Sequence, residues 1–294
     1  MIQYVNAKTI VNKIDGSKWF GYGFNMNIYR GCHHGCIYCD SRSEVYGIED
    51  FDQVKPKRNA LAIIENELKT KRNKGIIGMG AMSDPYNKLE EKLELTRGAL
   101  KLIDKYGFGV GITTKSALVV RDLDLLKKIA QHSPVIIKIT ITCADDKLAQ
   151  KIEPHVSLPS ERFEALKKIR GQGIFAGVLM LPILPYVTDN KENIESLLIK
   201  AYENNTSFIC AGFGVSQRRG QRFYYLQELE KFNPEAAKLH ERSYGNSYWC
   251  YSKNSKELKQ LHEKFCQEHQ ILYQMTTIIN AYQKGYRQQQ ISLF

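Results

Sequence analysis

Nowhere in its 294 residues does the chain carry an apolar run long enough to cross a bilayer. The longest, from Ile174 to Pro185, falls far short of the roughly 20 residues that a spanning helix needs. The opening stretch MIQYVNAKTIVNKIDG has no apolar h-region, so no signal peptide is expected and the chain reads as cytoplasmic, with no membrane partner. Short-period repeats are missing, and the one biased segment is QKGYRQQQ near the end. Acidic residues are in deficit, 31 against 42 Lys and Arg, which leaves a net charge of +11. That balance favours polyanionic partners such as nucleic acid, with a solvated basic surface as the plainer alternative. Seven cysteines, at 32, 36, 39, 143, 210, 250 and 266, do not form an even disulfide framework. What is present is globular: 43% hydrophobic and 25% charged residues, enough for one large domain with an appendage.

Apolar periodicity switches repeatedly between 2 and 3.6. Strands are expected at Gly21–Arg30, Gly75–Gly80, Gly109–Lys115, Val135–Cys143, Ile174–Leu181 and Ser207–Val215. Helices are expected between them, at Asn59–Arg72, Leu95–Tyr106, Asp122–Gln131 and Ser160–Arg170. A fifth would open on a capping box of Asp189 and Glu192 and run to about Asn204. Six β-then-α cycles predict an α/β fold, a parallel sheet wrapped by helices and curved into a full or partial barrel. Helical patterns then follow at about 218–240, 254–269 and 274–289. The division expected is an N-terminal segment 1–20, a barrel 21–216, a mostly helical extension 217–287 and a tail 288–294.

Three of the cysteines crowd into NIYRGCHHGCIYCDSR as Cys-x3-Cys-x2-Cys. Thiolates are the ligands of iron–sulfur clusters, normally four to a [4Fe–4S] cluster. Three ligands, Cys32, Cys36 and Cys39, would leave one iron open, and an open position marks catalysis rather than structure. The loop follows the first strand, at the barrel rim where active sites form. The competing reading is a zinc ion completed by His33 or His34, although structural zinc usually takes its ligands as two separated pairs.

With Tyr38 directly before the last cysteine, this loop resembles the signature of the radical SAM superfamily, and YRGCHHGCIYC is similar to its spore photoproduct lyase branch. The likeness continues through SDPYNKLEEKLELTR (83–97), ITTKSALVVRDLDLL (112–126), ITITCADDKLAQKIEPHVSLPSERFEALKKI (139–169) and YGNSYWC (244–250). It implies a partial (β/α)6 TIM-like barrel holding a [4Fe–4S] cluster and S-adenosylmethionine (SAM). It implies reductive cleavage of SAM to methionine and a 5′-deoxyadenosyl radical, fed by a one-electron donor such as flavodoxin or ferredoxin. By residue, it implies a catalytic group of Cys32, Cys36, Cys39 and Tyr38, with SAM contacts at Ser83, Asp84 and Lys115. Thr140 or Thr142 would add another contact, although alternating threonines are also ordinary strand residues. Ser-Asp-Pro at 83–85 equally reads as a turn opener.

Two positions depart from the lyase pattern. Met82 stands where the lyase has a hydrogen-donating cysteine, and Asp40 stands where it has a tyrosine. Cys143 could replace the donor or could be a small buried hydrophobe. His155 in EPH belongs to the matched stretch without a role, and Cys250 and Cys266 read as structural or as an auxiliary metal pair. Basic residues cluster at 55–58 and 69–74 and again in QRRGQRFYY (217–225), where arginines and aromatics suit phosphates and bases. The terminal QISLF (290–294) resembles the peptide by which bacterial DNA-processing proteins bind the sliding clamp, with Gln290, Leu293 and Phe294 as anchors. The expected function is thus a radical SAM enzyme acting on DNA as a repair lyase. The alternatives are a radical SAM enzyme acting on RNA, protein or a metabolite, and a non-catalytic, clamp-tethered, metal-containing nucleic-acid-binding protein.

Overall fold

Val135–Thr140 reads VIIKIT, and every residue in it is buried, as a strand covered on both faces requires. In the computed structural model, which describes residues 2–16 and 19–286, it is one of the middle strands of a seven-stranded sheet. The strands in chain order are β1 (Val11–Lys13), β2 (Phe24–Met26), β3 (Tyr29–Arg30), β4 (Lys55–Pro56), β5 (Ile76–Met79), β6 (Gly109–Thr114), β7 (Val135–Thr140), β8 (Ala176–Met180), β9 (Ile209–Ala211), β10 (Gly214–Ser216) and β11 (Trp249–Tyr251). The sheet order is β1-β2-β5-β6-β7-β8-β9, antiparallel only at β1–β2. Among the described residues its ends do not pair, so the barrel is partial.

The helices are α1 (Ala60–Thr70), α2 (Glu90–Leu93), α3 (Leu95–Lys105), α4 (Leu123–Ala130), α5 (Asp146–Ile152), α6 (Pro159–Gly171), α7 (Lys191–Glu203), α8 (Gln221–Phe232), α9 (Pro234–Tyr244), α10 (Ser255–Glu268) and α11 (Met275–Gln283). The convex face of the sheet (Val110, Ile112, Ile137, Ile139) packs on Leu100 and Ile103 of α3, Leu126 and Ile129 of α4, and Leu166 and Ile169 of α6. Each such fully buried aliphatic contributes about 1.5–3 kcal/mol. The concave side is plugged by Phe20, Tyr22, Phe208, Ile278 and Tyr282, so the N-terminal segment and α11 close the floor. A Cβ at Gly78 or Gly111 would run into the Tyr22 ring, so these two glycines admit the plug. Lys138, fully buried, donates to the Tyr22 hydroxyl, and burial pushes its amine well below the ordinary lysine range.

The six parallel strands match the six cycles read from the sequence. The details differ where tertiary pairing overrides periodicity. The expected strand Gly21–Arg30 is two, because β3 leaves the main sheet to pair with β4. Ser207–Val215 likewise divides into β9 and β10, and β10 pairs with β11, a strand that periodicity had missed. The helical stretch 218–240 breaks where the Asn233 side chain accepts from Ala236 N at 3.1 Å and Pro234 starts α9. Asn190, not Asp189, caps α7, accepting from Asn193 N at 2.8 Å. Asp189 accepts instead from Tyr186 N at 2.7 Å and Ser252 Oγ at 2.6 Å, tying the extension to the barrel. Among the described residues no helix is long and apolar enough to cross a membrane.

Candidate active site

The cysteine loop leaves β3 through Gly31, whose φ is +77° and whose Cβ would lie 2.7 Å from the carbonyl oxygens of Phe51 and Gln53. Gly35, at φ +69°, is pressed against Pro154, 2.8 Å from where a Cβ would be. Only glycine takes both the left-handed backbone and the close approach. The loop is pinned by Cys32 N donating to Phe51 O at 2.8 Å and Cys39 N donating to Cys36 O at 3.2 Å. Cys32, Cys36 and Cys39 meet at one cavity of about 130 Å³ with Met82, Ser83, Asp84, Lys115 and Thr140. Burial pushes all three thiols up, Cys32 to about 12 with Asp84 adding to it. Buried thiolates are costly unless a metal compensates their charge, so the donor set fits a metal group. No three His, Cys, Asp or Glu side chains among the described residues are grouped to hold a single ion. Three buried thiols at one cavity are the donor type that iron–sulfur clusters take.

The neighbouring loops arrive from the carboxyl ends of β5, β6 and β7. Ser83 Oγ donates to Gly31 O at 2.5 Å, clasping the cysteine loop. Asp84 accepts from Tyr86 N at 2.9 Å, Thr114 Oγ1 at 2.7 Å and Lys115 N at 2.8 Å, so the turn reading applies, and the residue also lines the cavity. Lys115 is different. Its ammonium takes no hydrogen bond or ion pair among the described residues and lies 5.5 Å from the Tyr38 ring centroid. Burial pulls it down, but Cys36 and Glu153 outweigh that and hold it above the usual lysine value. The cavity therefore presents one charged, unpaired donor toward any carboxylate that enters. His34 is pushed down to about 4, chiefly by burial, so its 3.6 Å approach to Asp84 is that of a neutral imidazole at neutral pH.

Thr142 does not line this cavity, and its hydroxyl is buried without a hydrogen-bond partner among the described residues. Cys143 packs with Cys36, Tyr38 and Ile152, and its thiol donates to Asp145 O at 3.4 Å, as a small core residue does. Cys250 and Cys266 are fully buried in separate cores. Glu153 and Arg162, which drew no notice in the sequence, form a buried ion pair at 2.6 Å under the loop. Asp40 pairs with Arg218 at 3.1 Å and accepts from Tyr46 at 3.1 Å, joining the loop to the C-terminal extension. There Arg219 and Phe223 are exposed beside Tyr248, whereas Tyr225 is core. Trp249 and Tyr251 are exposed and stack at 5.9 Å. Gln290, Leu293 and Phe294 lie outside the described residues.

Comparison with known proteins agrees with this architecture. The model of the radical SAM superfamily matches residues 26–198. An uncharacterized protein of Mycobacterium tuberculosis is 28% identical over 247 residues, 82% of this chain and 72% of its own. One from Methanocaldococcus jannaschii is 35% identical over 190 residues, 63% of this chain and 68% of its own. Among solved structures, a spore photoproduct lyase variant superposes with TM-score 0.63 at 17% identity, over 90% of this chain and 78% of that one. Another, with AdoMet and a dinucleoside spore photoproduct bound, gives 0.59 at 17% identity, over 87% and 76%. The partial parallel barrel, the rim loop of three thiols and the family match lead to one assignment: the chain belongs to the radical SAM superfamily, enzymes that use a [4Fe–4S] cluster and S-adenosylmethionine.

Proposed function

We propose that this enzyme acts on damaged DNA as a lyase of the spore photoproduct type, with Cys32, Cys36 and Cys39 as cluster ligands. When bound, the cluster would supply the electron for the reductive cleavage of SAM. The chain's own residues do the rest. Lys115 receives the cofactor's carboxylate, because among the described residues it is an unpaired cation at the cavity. Asp84 holds the Lys115 backbone in register through Lys115 N, and Ser83 fixes the cysteine loop through Gly31 O. Thr140 completes the wall, and its carbonyl is fixed by Arg162 Nη1 at 2.9 Å. Phe20 and Tyr22 plug the floor and exclude water from below.

The observation that carries the DNA reading is the exposed face joined to the third cysteine through Asp40–Arg218. Arg219 there is 91% exposed at its side chain, and Phe223, Tyr248, Trp249 and Tyr251 are available to stack on bases. A second reading, a radical SAM enzyme with a non-DNA substrate, is favoured by Met82. It lines the cavity where the lyase has its thiol and cannot donate hydrogen as a thiol does. Clamp binding through QISLF and supply by a flavodoxin- or ferredoxin-type carrier belong to the same proposal.

The deciding measurement is 5′-deoxyadenosine release from anaerobically reconstituted protein without DNA, with intact DNA and with irradiated DNA. Release that rises with lesion loss on irradiated DNA alone supports the lyase. Release indifferent to DNA transfers the assignment to another substrate. Replacing Lys115 by Met is expected to weaken SAM binding by about 10- to 100-fold, the worth of one charge-assisted hydrogen bond.

A further inference from the structure

Beneath the cysteine loop lies a charged layer of which only the Arg162 contact to Thr140 has been used above. The Glu153 and Arg162 side chains are each 1% exposed and pair at 2.6 Å. The Tyr38 hydroxyl, between the second and third cysteines, donates to Glu153. Arg162 also donates to Thr140 O at 2.9 Å and to Ser157 O at 2.7 Å, so one guanidinium links the loop's support to the cavity wall. The turn carrying Glu153 grips the cysteine loop through its backbone as well. Ile37 N donates to Ile152 O at 3.0 Å, His155 N donates to His34 O at 3.2 Å, and Pro154 abuts Gly35. This is a use for the EPH triplet: Glu153 holds Tyr38, Pro154 fits the glycine and His155 serves through its backbone.

We propose that Glu153, held by Arg162, is the positioning residue of the cysteine loop and the fixed negative charge that sets the field at the cluster. The proposal rests on the reading of Cys32, Cys36 and Cys39 as cluster ligands. Burial alone would push the Glu153 carboxyl up, but Arg162, and then Lys115 and Tyr38, outweigh it, so the carboxylate stays ionised. A buried pair of this kind is rarely worth keeping for stability alone, since apolar residues of similar volume serve as well. It becomes useful where charge must be placed. Glu153 offsets Arg162, leaving Lys115 as the cation for the cofactor. An anion in a low-dielectric site disfavours an added electron, and a cation favours it.

The sign of the effect separates this role from a merely structural one. The measurements are the midpoint potential of the cluster in reconstituted protein, the dissociation constant for SAM, and iron and sulfide per chain. Glu153→Gln is expected to raise the potential and Arg162→Gln to lower it, with the double variant returning near the parent. SAM cleavage in Glu153→Gln should fall on the order of 10- to 100-fold, as losses of outer-layer partners of metal sites do. Glu153→Asp keeps the charge. If Glu153→Gln does not fold, the aspartate variant decides: an unchanged potential with weakened SAM binding supports the proposal, and a shifted potential overturns it. Single variants that fold with unchanged potentials, or that shift in the same direction, also overturn it. A parent protein that takes up no iron and sulfide would instead remove the cluster reading itself, so the two failures are distinguishable.

Discussion

At the scale of single residues the site is built from small exclusions. Gly31 turns the chain at φ +77° with two carbonyl oxygens where a Cβ would be, and no side chain can stand there. Gly31→Ala is therefore expected to cost roughly 1–2 kcal/mol from the backbone alone, plus whatever displacement the clash forces. Because the neighbouring Cys32 N donates to Phe51 O, that displacement falls on a candidate ligand. Iron per chain after reconstitution should drop more steeply than thermal stability, and an alanine variant that loads iron like the parent would refute the tight-turn argument. Titration enters at His240, 1% exposed with both ring nitrogens lacking a hydrogen-bond partner among the described residues. Burial, aided by Arg222, pushes it down to about 4. The folded state thus binds fewer protons than the unfolded state below the ordinary histidine value near 6.5. The stability this confers is complete above pH 6.5 and is lost as pH falls toward 4. Urea unfolding at pH 7 and pH 5 should show the parent losing about 2 kcal/mol more than His240→Phe between the two, the linkage integral for that shift.

At the scale of elements, what the sequence could reveal was whatever depends on local order. The six parallel strands were legible because strands buried on both faces are continuous apolar runs, as in VIIKIT. The cavity cysteines were legible because spacing alone distinguishes them. Glu153 and Arg162 were not, because a charged residue in a helical pattern reads as solvated surface until the fold buries it. β11 was hidden for a related reason: three residues with Trp249 and Tyr251 outward show no apolar face. Glu90 illustrates the same blindness and carries a prediction. It looks like one acid among several in KLEEKLE, yet it is fully buried. Its carboxylate accepts from Tyr29 Oη at 2.5 Å, Thr96 N at 2.9 Å, Arg97 N at 3.2 Å and Arg121 Nη2 at 2.8 Å. It thus joins β3, the start of α3 and the segment after β6, and an anion at a helix start is favourably placed. Removing one partner of a buried ion pair typically costs about 3–5 kcal/mol, and Glu90→Ala should cost that much in denaturant unfolding. A loss below about 1 kcal/mol, the value of an exposed pair, would show that the network carries little.

At the scale of the molecule, the net charge of +11 does not say which face it serves, and the fold separates the candidates. Lys69, Lys71 and Lys74 precede β5, at the amino ends of the parallel strands and on the side away from the cysteine loop. Two of them lie over core aromatics, Lys71 over Phe24 at 5.1 Å and Lys74 over Phe108 at 4.6 Å. They snorkel across the floor of the barrel, as long cationic side chains do. Arg218, Arg219 and Phe223 lie on the rim side, where Asp40 joins them to the third cysteine. If the substrate is DNA, as proposed, its base must reach the cavity between the rim loops, and the rim face is then the one that binds DNA productively. Reversing Lys69, Lys71 and Lys74 to Glu is then expected to leave binding to a single-stranded or lesion-bearing oligonucleotide nearly unchanged once the salt series is compared. Arg219→Ala should lower the slope of log K against log salt by about 0.7–0.9, one phosphate contact. Phe223→Ala should leave the slope alone and cost about 1–3 kcal/mol, one stacked base. Both rim side chains are exposed, so neither variant threatens the fold. If instead the floor lysines carry the salt dependence and the rim substitutions change nothing, the basic charge serves non-specific association, and the substrate that enters beside Met82 is not nucleic acid.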